Sequence, residues 1–342
     1  MADRQLQVVL GLFLGTILYV LVVLRSLDEA QGTEGVPHLA VTVGSALTIV
    51  CLLALLFYVH KVARSIMVDN IVAQVARDLH HNIRDMLPED AGAAERSLPH
   101  LTRPAAGTVS LGRSGYIQVV DYDALVALAS REQALLQVTV RAGHFVLRNG
   151  GHVVVYADHP LDTKAVKAVR SAFVLGEERT PAQDLEYSLR QLVEIALRAL
   201  SPAINDPFTA IAVIDRRGAA LEEIFGRSLQ PAVWCDKEGE VRVIAQRSDA
   251  QGLTDAAFDA IRQAASRIPA VLIRMADVLG QLAPSLRSET MRKAVERQLG
   301  KLAETAGEAP LASSDRQAIL NRVEQARNVI SARRKEGGIH VL

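Results

Sequence analysis

The sequence lacks the residue patterns that identify most enzymes and most secreted proteins. Among 342 residues there are only two cysteines, Cys51 and Cys235, and their spacing fits neither a disulfide framework nor a zinc site. No phosphate-binding loop, dinucleotide fingerprint or nucleophile elbow is present. The sequence therefore predicts no metal, no cofactor and no catalytic residue, and few cysteines suit a reducing compartment.

The sequence also lacks an excess of charge of either sign. Lysine and arginine number 38, aspartate and glutamate number 38, and the formal net charge is zero. Proteins that bind nucleic acid through its phosphates usually carry a basic surface. We therefore expect no nucleic-acid partner.

Two long apolar runs stand out against this balanced composition. The first extends from Leu6 to Leu24 and the second from Leu39 to Val59. Each has about the 20 residues that a helix needs to cross the hydrocarbon of a bilayer. Neither has the basic start and small-residue cleavage site of a signal peptide. The sequence predicts a transmembrane helical hairpin whose partner is the lipid bilayer.

The charges that flank these runs predict their orientation. Basic residues follow the second run at Lys61, Arg64 and Arg77, whereas the loop between the runs is mainly acidic. Basic flanks stay on the cytoplasmic side of a membrane. We therefore expect both termini and the large remainder of the chain to be cytoplasmic.

Small and hydroxyl-bearing residues recur inside the apolar runs, which contain no ionisable side chain. Gly11 and Gly15 form a G-x-x-x-G pattern that allows close helix packing, although small residues also recur there by chance. Thr42, Ser45 and Thr48 share one helical face. That face either lines a pore or supplies hydrogen bonds between helices. The lack of an ionisable group argues against a proton-coupled transporter built from these two helices alone.

The remaining pattern predicts an α+β membrane protein in which the transmembrane helical hairpin precedes a cytoplasmic small β domain and a mainly helical domain. Strand-like alternation and glycine turns mark the β domain, and helical periodicity marks the rest. The predicted boundaries are 1–62 for the transmembrane hairpin, 63–107 for a juxtamembrane helix and linker, 108–160 for the β domain, and 161–342 for the helical domain, with a β-hairpin near 232–245.

The segment from Arg179 to Ala210 holds the densest set of helix signals. Thr180 and Gln183 have the spacing of a capping box, which predicts a helix start there and a helix that continues to about Leu200. Asp206 before Pro207 predicts the start of the next helix. One interpretation of the segment is structural: two well-capped helices joined by a tight turn.

The other interpretation is functional and concerns the polar residues of the same segment. It places them in one pocket near the helix ends, where backbone donors at the second helix start would help to hold a small anion. The candidate ligand-binding residues are Arg179, Gln183, Asp184, Asn205 and Asp206.

The same residues carry a family resemblance. Arg179-Thr180 with Gln183-Asp184, the run from Gln191 to Pro202, and Asn205-Asp206-Pro207 resemble the bacterial predicted-membrane-protein family called domain of unknown function 2254. The resemblance implies a multi-pass protein of the bacterial inner membrane with a cytoplasmic domain and no established activity. It supplies no catalytic residues. It also implies a further pair of hydrophobic helices ahead of the point where this chain begins.

Three function classes follow from these observations. The favoured hypothesis is a homo-oligomeric channel-like or transport-related assembly, because two helices alone bury little surface. The alternative is a membrane-tethered sensor or binding module for a small anionic ligand. A membrane-bound enzyme is the least favoured class, since Asp184 and Asp206 are its only candidates and both suit capping and surface roles.

Overall fold

The structure is a computed structural model that describes residues 2–29, 38–65, 68–87, 104–229 and 231–337. They fall into two compact units, Met1–Ile71 (unit 1) and Val72–Leu342 (unit 2). Helices dominate and the sheets are small, so the predicted mixed α+β class is confirmed at that level. Residues 88–103, which include most of the predicted linker, lie outside the described residues, as do the side chains of Lys61 and Arg64.

Unit 1 consists mainly of two long helices, α1 (Ala2–Glu29) and α2 (His38–Ser65). The hydroxyl of Thr16 lies 3.1 Å from the Cys51 thiol, and the Tyr19 hydroxyl donates to the carbonyl of Ala40 at 3.1 Å. A later residue of α1 thus contacts an earlier residue of α2. The two helices therefore pack as an antiparallel pair.

One helix among the described residues is long and apolar enough to cross a membrane. It is α2, over Leu39–Phe57, which agrees with the second predicted run. The apolar stretch that the structure describes in α1 is shorter, Leu10–Arg25. A membrane-spanning hairpin, its orientation and a multi-pass topology therefore stay predictions.

Unit 2 contains strands and helices in alternation, followed by a series of helices. Aspartate side chains cap the N-termini of five of these helices, α4 to α8 in the list below, by accepting backbone N–H groups. In chain order the elements are α3 (Val68–Met86, which begins in unit 1), β1 (Ala105–Val109), β2 (Gly115–Val120), α4 (Tyr122–Arg131), β3 (Leu135–Val138), β4 (Phe145–Val146), β5 (Val153–Tyr156), α5 (Thr163–Ser171), β6 (Phe173–Gly176), α6 (Leu185–Ala199), α7 (Pro207–Phe225), β7 (Val233–Cys235), β8 (Val241–Ala245), α8 (Ala250–Ala264), α9 (Pro269–Gln281), a 3-10 helix (Ala283–Ser285), α10 (Glu289–Glu308) and α11 (Ser313–Gly337).

The strands form two sheets, which together with α4 and α5 make up the β module. One sheet has the order β1-β5-β3-β8-β7 and the other β4-β2-β6. Strand β8 pairs parallel to β3, with Gln137 opposite Ile244, and all other pairs are antiparallel. Buried valine, leucine and isoleucine side chains from both sheets fill a single core.

The hairpin predicted near 232–245 forms, as β7 and β8, and it extends the sheet of the β module. Trp234 of β7 stacks on Tyr122 of α4 with ring centroids 4.0 Å apart. Val243 of β8 is buried in the core of the module. The sheet therefore takes strands from both sides of the predicted boundary between residues 160 and 161.

The helices α6 to α11 form a bundle in which the chain direction alternates from one helix to the next. Two helices of the bundle that are separated by one other helix in the chain therefore run parallel to each other. Asp215 of α7 pairs with Arg274 of α9 at 2.6 Å, and Gly218 of α7 faces Val278. Contacts in the same chain direction join α8 to α10, through Asp255 with Gln298 and Arg262 with Thr305. They also join α9 to α11, through Asp277 with Arg322 and Gly280 with Ala326.

The alternation gives the bundle two distinct ends. The α6–α7, α8–α9 and α10–α11 connections lie at one end, which we call the near end. At the far end the chain passes into the β module, because β6 precedes α6 and the β7–β8 hairpin separates α7 from α8. Helix α3 runs alongside α7 in the same direction, since His80 contacts Glu223 and Arg227 donates to the carbonyl of Leu87 at 2.9 Å. Val72, the first residue of unit 2, therefore lies toward the near end.

A charged side chain lies in the core of the bundle, and no described carboxylate pairs with it. Arg217 of α7 is 0 % exposed. Its Nη2 donates to the carbonyl of Ala256 at 2.6 Å, whereas Nε and Nη1 have no hydrogen-bond partner among the described residues. Burial lowers the pKa of Arg217 to about 9. An unpaired charge of this kind costs folding free energy.

We predict that Arg217→Met stabilises the protein by about 1–4 kcal/mol, because an apolar side chain of similar length removes the desolvation cost. The folded-state pKa lies below the unfolded value, so the wild type is penalised most below pH 9 and gains stability above it. The advantage of Arg217→Met, measured by thermal and urea unfolding, should therefore shrink above pH 9.

The neighbouring Arg216, which is exposed, supplies the matched control. Arg216→Met should leave the free energy of unfolding nearly unchanged at every pH. A loss of stability in Arg217→Met would show that the guanidinium has a net favourable role in the core.

Candidate functional site at the junction of the β module and the bundle

Helix α6 begins at an aspartate. Asp184 Oδ1 accepts the backbone N–H of Tyr187 at 2.9 Å and caps the helix, which starts at Leu185. The predicted capping box of Thr180 and Gln183 is wrong, because the buried Thr180 hydroxyl has no hydrogen-bond partner in the described part of the chain and Gln183 bonds elsewhere. Aspartate caps a helix at least as well as threonine. At this position it also gains a cationic partner.

That partner is Arg179. Its Nε and Nη2 donate to Asp184 Oδ2 at 3.0 and 2.5 Å, and the guanidinium lies 5.2 Å from the ring centroid of Tyr187. Asp184 is 0 % exposed. Both of its oxygens are thus used inside the protein, one by the helix start and one by the arginine. A buried carboxylate needs such partners to remain charged.

A glycine from the β module closes over this pair. Gly143 has φ of +86°, and a Cβ atom at this position would overlap Asp184 Oδ2. Only glycine meets both conditions without strain. Its backbone N–H donates to the carbonyl of Ile117 at 2.8 Å, which fixes the turn to strand β2. The sequence indicated a turn here, but nothing local showed that its glycine would contact Asp184.

A second ion pair joins the same turn to α6. Arg141 Nη2 lies 2.6 Å from Glu186 Oε1, and both side chains are largely buried. Burial first, and then the charge of Arg141, lowers the pKa of the half-buried His144 beside them. We call Arg141, Gly143, Arg179, Asp184 and Glu186 the junction cluster. It fastens the β module to the start of α6.

Gln183 and Asp206 also bond to protein groups. Gln183 Oε1 accepts the N–H of Val120 at 2.9 Å and its Nε2 donates to the carbonyl of Val120 at 3.2 Å. Asp206 caps α7 by accepting from Phe208 N, Thr209 N and Thr209 Oγ1 at 3.0, 3.2 and 2.6 Å. These hydrogen bonds lower the pKa of Asp206. The predicted start of α7 at Asp206 and Pro207 is confirmed.

The five candidate residues do not form one pocket. Arg179, Gln183 and Asp184 lie at the far end of the bundle, whereas Asn205 and Asp206 lie beyond the other end of α6, which has 15 residues. A helix of that length separates the two groups by about 22 Å. Asn205 is exposed and has a left-handed backbone with φ of +49°.

The chemistry available at the junction cluster is that of two satisfied ion pairs. Arg179 and Arg141 each face a carboxylate, and the Asp184 oxygens are both occupied. In the part of the chain that the structure describes, no group of three His, Cys, Asp or Glu side chains is placed to hold a metal ion. The geometry therefore favours a structural joint between the two parts of unit 2.

Two aspartates that both cap helices allow this conclusion to be tested. We predict that Asp184→Asn costs about 3–5 kcal/mol of unfolding free energy, because it leaves Arg179 buried without a counter-ion. Asp206→Asn is the matched control and should change stability little, since asparagine is as good an N-cap as aspartate. Urea unfolding of both variants measures the difference. Equal effects would show that the ion pair adds nothing beyond the cap.

Comparison with known proteins identifies relatives along nearly the whole chain. Uncharacterised proteins of Mycobacterium bovis and of two Mycobacterium tuberculosis strains are each 32% identical to it, over 96% of this chain and 64% of their own length. The chain thus spans just under two thirds of these relatives. No solved structure matches it. The profile of one family, described as predicted membrane protein (DUF2254), matches residues 1–281. The chain therefore belongs to the family of domain of unknown function 2254.

Proposed function

We propose that this protein works as a homo-oligomeric membrane assembly, channel-like or transport-related, in which the apolar helices of several copies pack around a common axis. The observation that carries the proposal is the outer surface of unit 1. Only 11% of the apolar window of α2 is buried within the chain. Two helices leave most of their side chains to lipid or to further helices.

One outward face of α1 is shaped for close helix contact. A Cβ atom added at Gly11 or at Gly15 would meet no described atom within 4 Å, whereas one at Gly44 would meet the Tyr19 ring at 3.6 Å. Gly44 therefore serves the contact between α1 and α2, and the two glycines of α1 do not. In membranes, helices associate through such small residues because backbones can then approach closely.

Helix α2 carries a polar stripe on its outside. Thr42, Ser45 and Thr48 are all exposed, and the Thr48 hydroxyl donates to the carbonyl of Gly44 in the same helix at 2.8 Å. Such a bond satisfies the hydroxyl donor and leaves its oxygen able to accept. Around a symmetric axis this stripe would offer polar oxygen atoms to a passing solute.

Unit 2 would respond to or control such a path through α3. Val72, Leu79, Ile83 and Leu87 of this helix are buried in the core of the bundle. Helix α3 begins shortly after α2 in the chain, at Val68. The helix that follows the candidate span is thus held firmly by the folded unit. A displacement of α3 would require the bundle core to repack, which favours discrete states over gradual movement.

We predict that Gly15→Leu separates the assembly into smaller species and abolishes any solute flux, because the larger side chain blocks close approach on that face. Leucine is a better helix former than glycine, so the helix itself should persist. Ile17→Phe is the control, since it adds bulk on another exposed face of α1. Native mass spectrometry measures the stoichiometry, and dye-loaded proteoliposomes measure the flux. A monomeric wild type without flux would refute the proposal.

A second candidate function, a membrane-tethered binding module for a small anion, is favoured by a groove beside α3. The groove has a volume of about 450 Å³ and is lined by Arg77, His80, His81, Arg84 and Glu223. His80 and Arg84 pair with Glu223. Within the described residues no carboxylate pairs with the exposed Arg77. The groove thus holds more positive than negative charge.

Inorganic phosphate distinguishes this groove from the residues predicted at Arg179 to Asp206. We expect phosphate to raise the melting temperature of the wild type and of Arg179→Met, and we expect Arg77→Gln to remove that increase. Each variant is compared with its own melting temperature without phosphate, and sodium chloride at equal ionic strength is the control. Loss of the effect only in Arg179→Met would favour the other site. No effect of phosphate on the wild type would exclude both.

A further inference from the structure

The turn between α6 and α7 exposes two large apolar side chains. Ile204 is 55 % exposed and Phe208 is 79 % exposed, the largest exposure of any large apolar side chain described in unit 2. These residues lie in the segment that carries the family resemblance, yet the junction cluster does not use them. We call Ile204 and Phe208 the apolar knob.

The backbone holds the apolar knob in place. Asn205 N and Asp206 N donate to the carbonyls of Ser201 and Ala199, each at 2.8 Å. Asn205 has a left-handed conformation, and Asp206 fixes the first turn of α7 by three hydrogen bonds. The exposure of Ile204 and Phe208 is therefore built into a well-bonded turn.

The apolar knob lies at the same end of the bundle as Val72, where the chain enters unit 2. Phe208 precedes Glu223 by about four helical turns, or roughly 22 Å. Val72 precedes His80, which contacts Glu223, by about two turns, or roughly 12 Å. Because α3 and α7 run in the same direction, Phe208 and Val72 both lie on the near-end side of that contact.

The chain enters unit 2 shortly after the candidate span. The span ends at Phe57, and unit 2 begins at Val72. Because Val72 lies toward the near end, the near end is the end of unit 2 at which the chain arrives from the span.

We propose that the apolar knob is a membrane contact: Ile204 and Phe208 insert into the interfacial layer of the bilayer that α2 crosses. Apolar and aromatic side chains bind at this layer because it removes them from water. Arg198, exposed on the last turn of α6, is close enough in the chain for its long side chain to reach lipid phosphates. The contact restrains the bundle at a second point besides the chain connection.

The proposal is tested by measuring depth in the membrane with the full chain in proteoliposomes. Phe208→Cys and, separately, Ile204→Cys are spin-labelled in a background in which Cys51 and Cys235 are replaced by alanine. Collisions with oxygen, which concentrates in lipid, are compared with collisions with a water-soluble nickel chelate. Leu147→Cys is the matched control, because Leu147 is also apolar, is 68 % exposed and lies in the β module.

We expect the labels at 204 and 208 to collide several-fold more with oxygen than with the nickel chelate, and the label at 147 to show the reverse. Labels at 204 and 208 as accessible to nickel as the label at 147 would overturn the proposal. Shielding from both reagents together with spin–spin coupling between copies would also overturn it, by identifying a second copy as the occupant. The result is independent of the proposed assembly, because a monomer in the bilayer gives the same depth.

Discussion

The buried carboxylate of Asp184 is the contact on which the arrangement of unit 2 depends. One oxygen starts α6 and the other holds Arg179, while Gly143 of the β module lies directly against them. The carboxylate therefore fixes where the helix begins and how the β module meets it. Because each later helix of the bundle reverses the previous one, the start of α6 also determines which connections lie at the near end.

Local sequence signals were sufficient wherever a structure is stabilised by neighbours in the chain. Asp206 caps α7 as predicted, since a cap involves residues only two or three positions away. The predicted end of the preceding helix near Leu200 is also close to the observed end of α6 at Ala199. The apolar run of α2 needed only length and composition.

Tertiary contacts decided the rest, and the sequence carried no local sign of them. Thr180 and Asp184 are both acceptable caps, and the choice fell to Asp184 because Arg179 stabilises its charge. The hairpin of β7 and β8 was expected among helices, but the open edge of β3 offers it a parallel partner. The five candidate site residues are close in sequence, yet the length of α6 places them at two ends of the bundle.

This division gives the family-specific segment two physical roles joined by one helix. At the far end, polar residues are paired in a dry joint, where the loss of one partner is costly. At the near end, Asn205 and Asp206 hold a turn that leaves Phe208 exposed on the surface of the chain. Helix α6 has a fully buried stripe, so it cannot tilt without repacking the core on which both ends rely. A change in the joint between the β module and α6 would therefore reach the turn as a rigid-body movement.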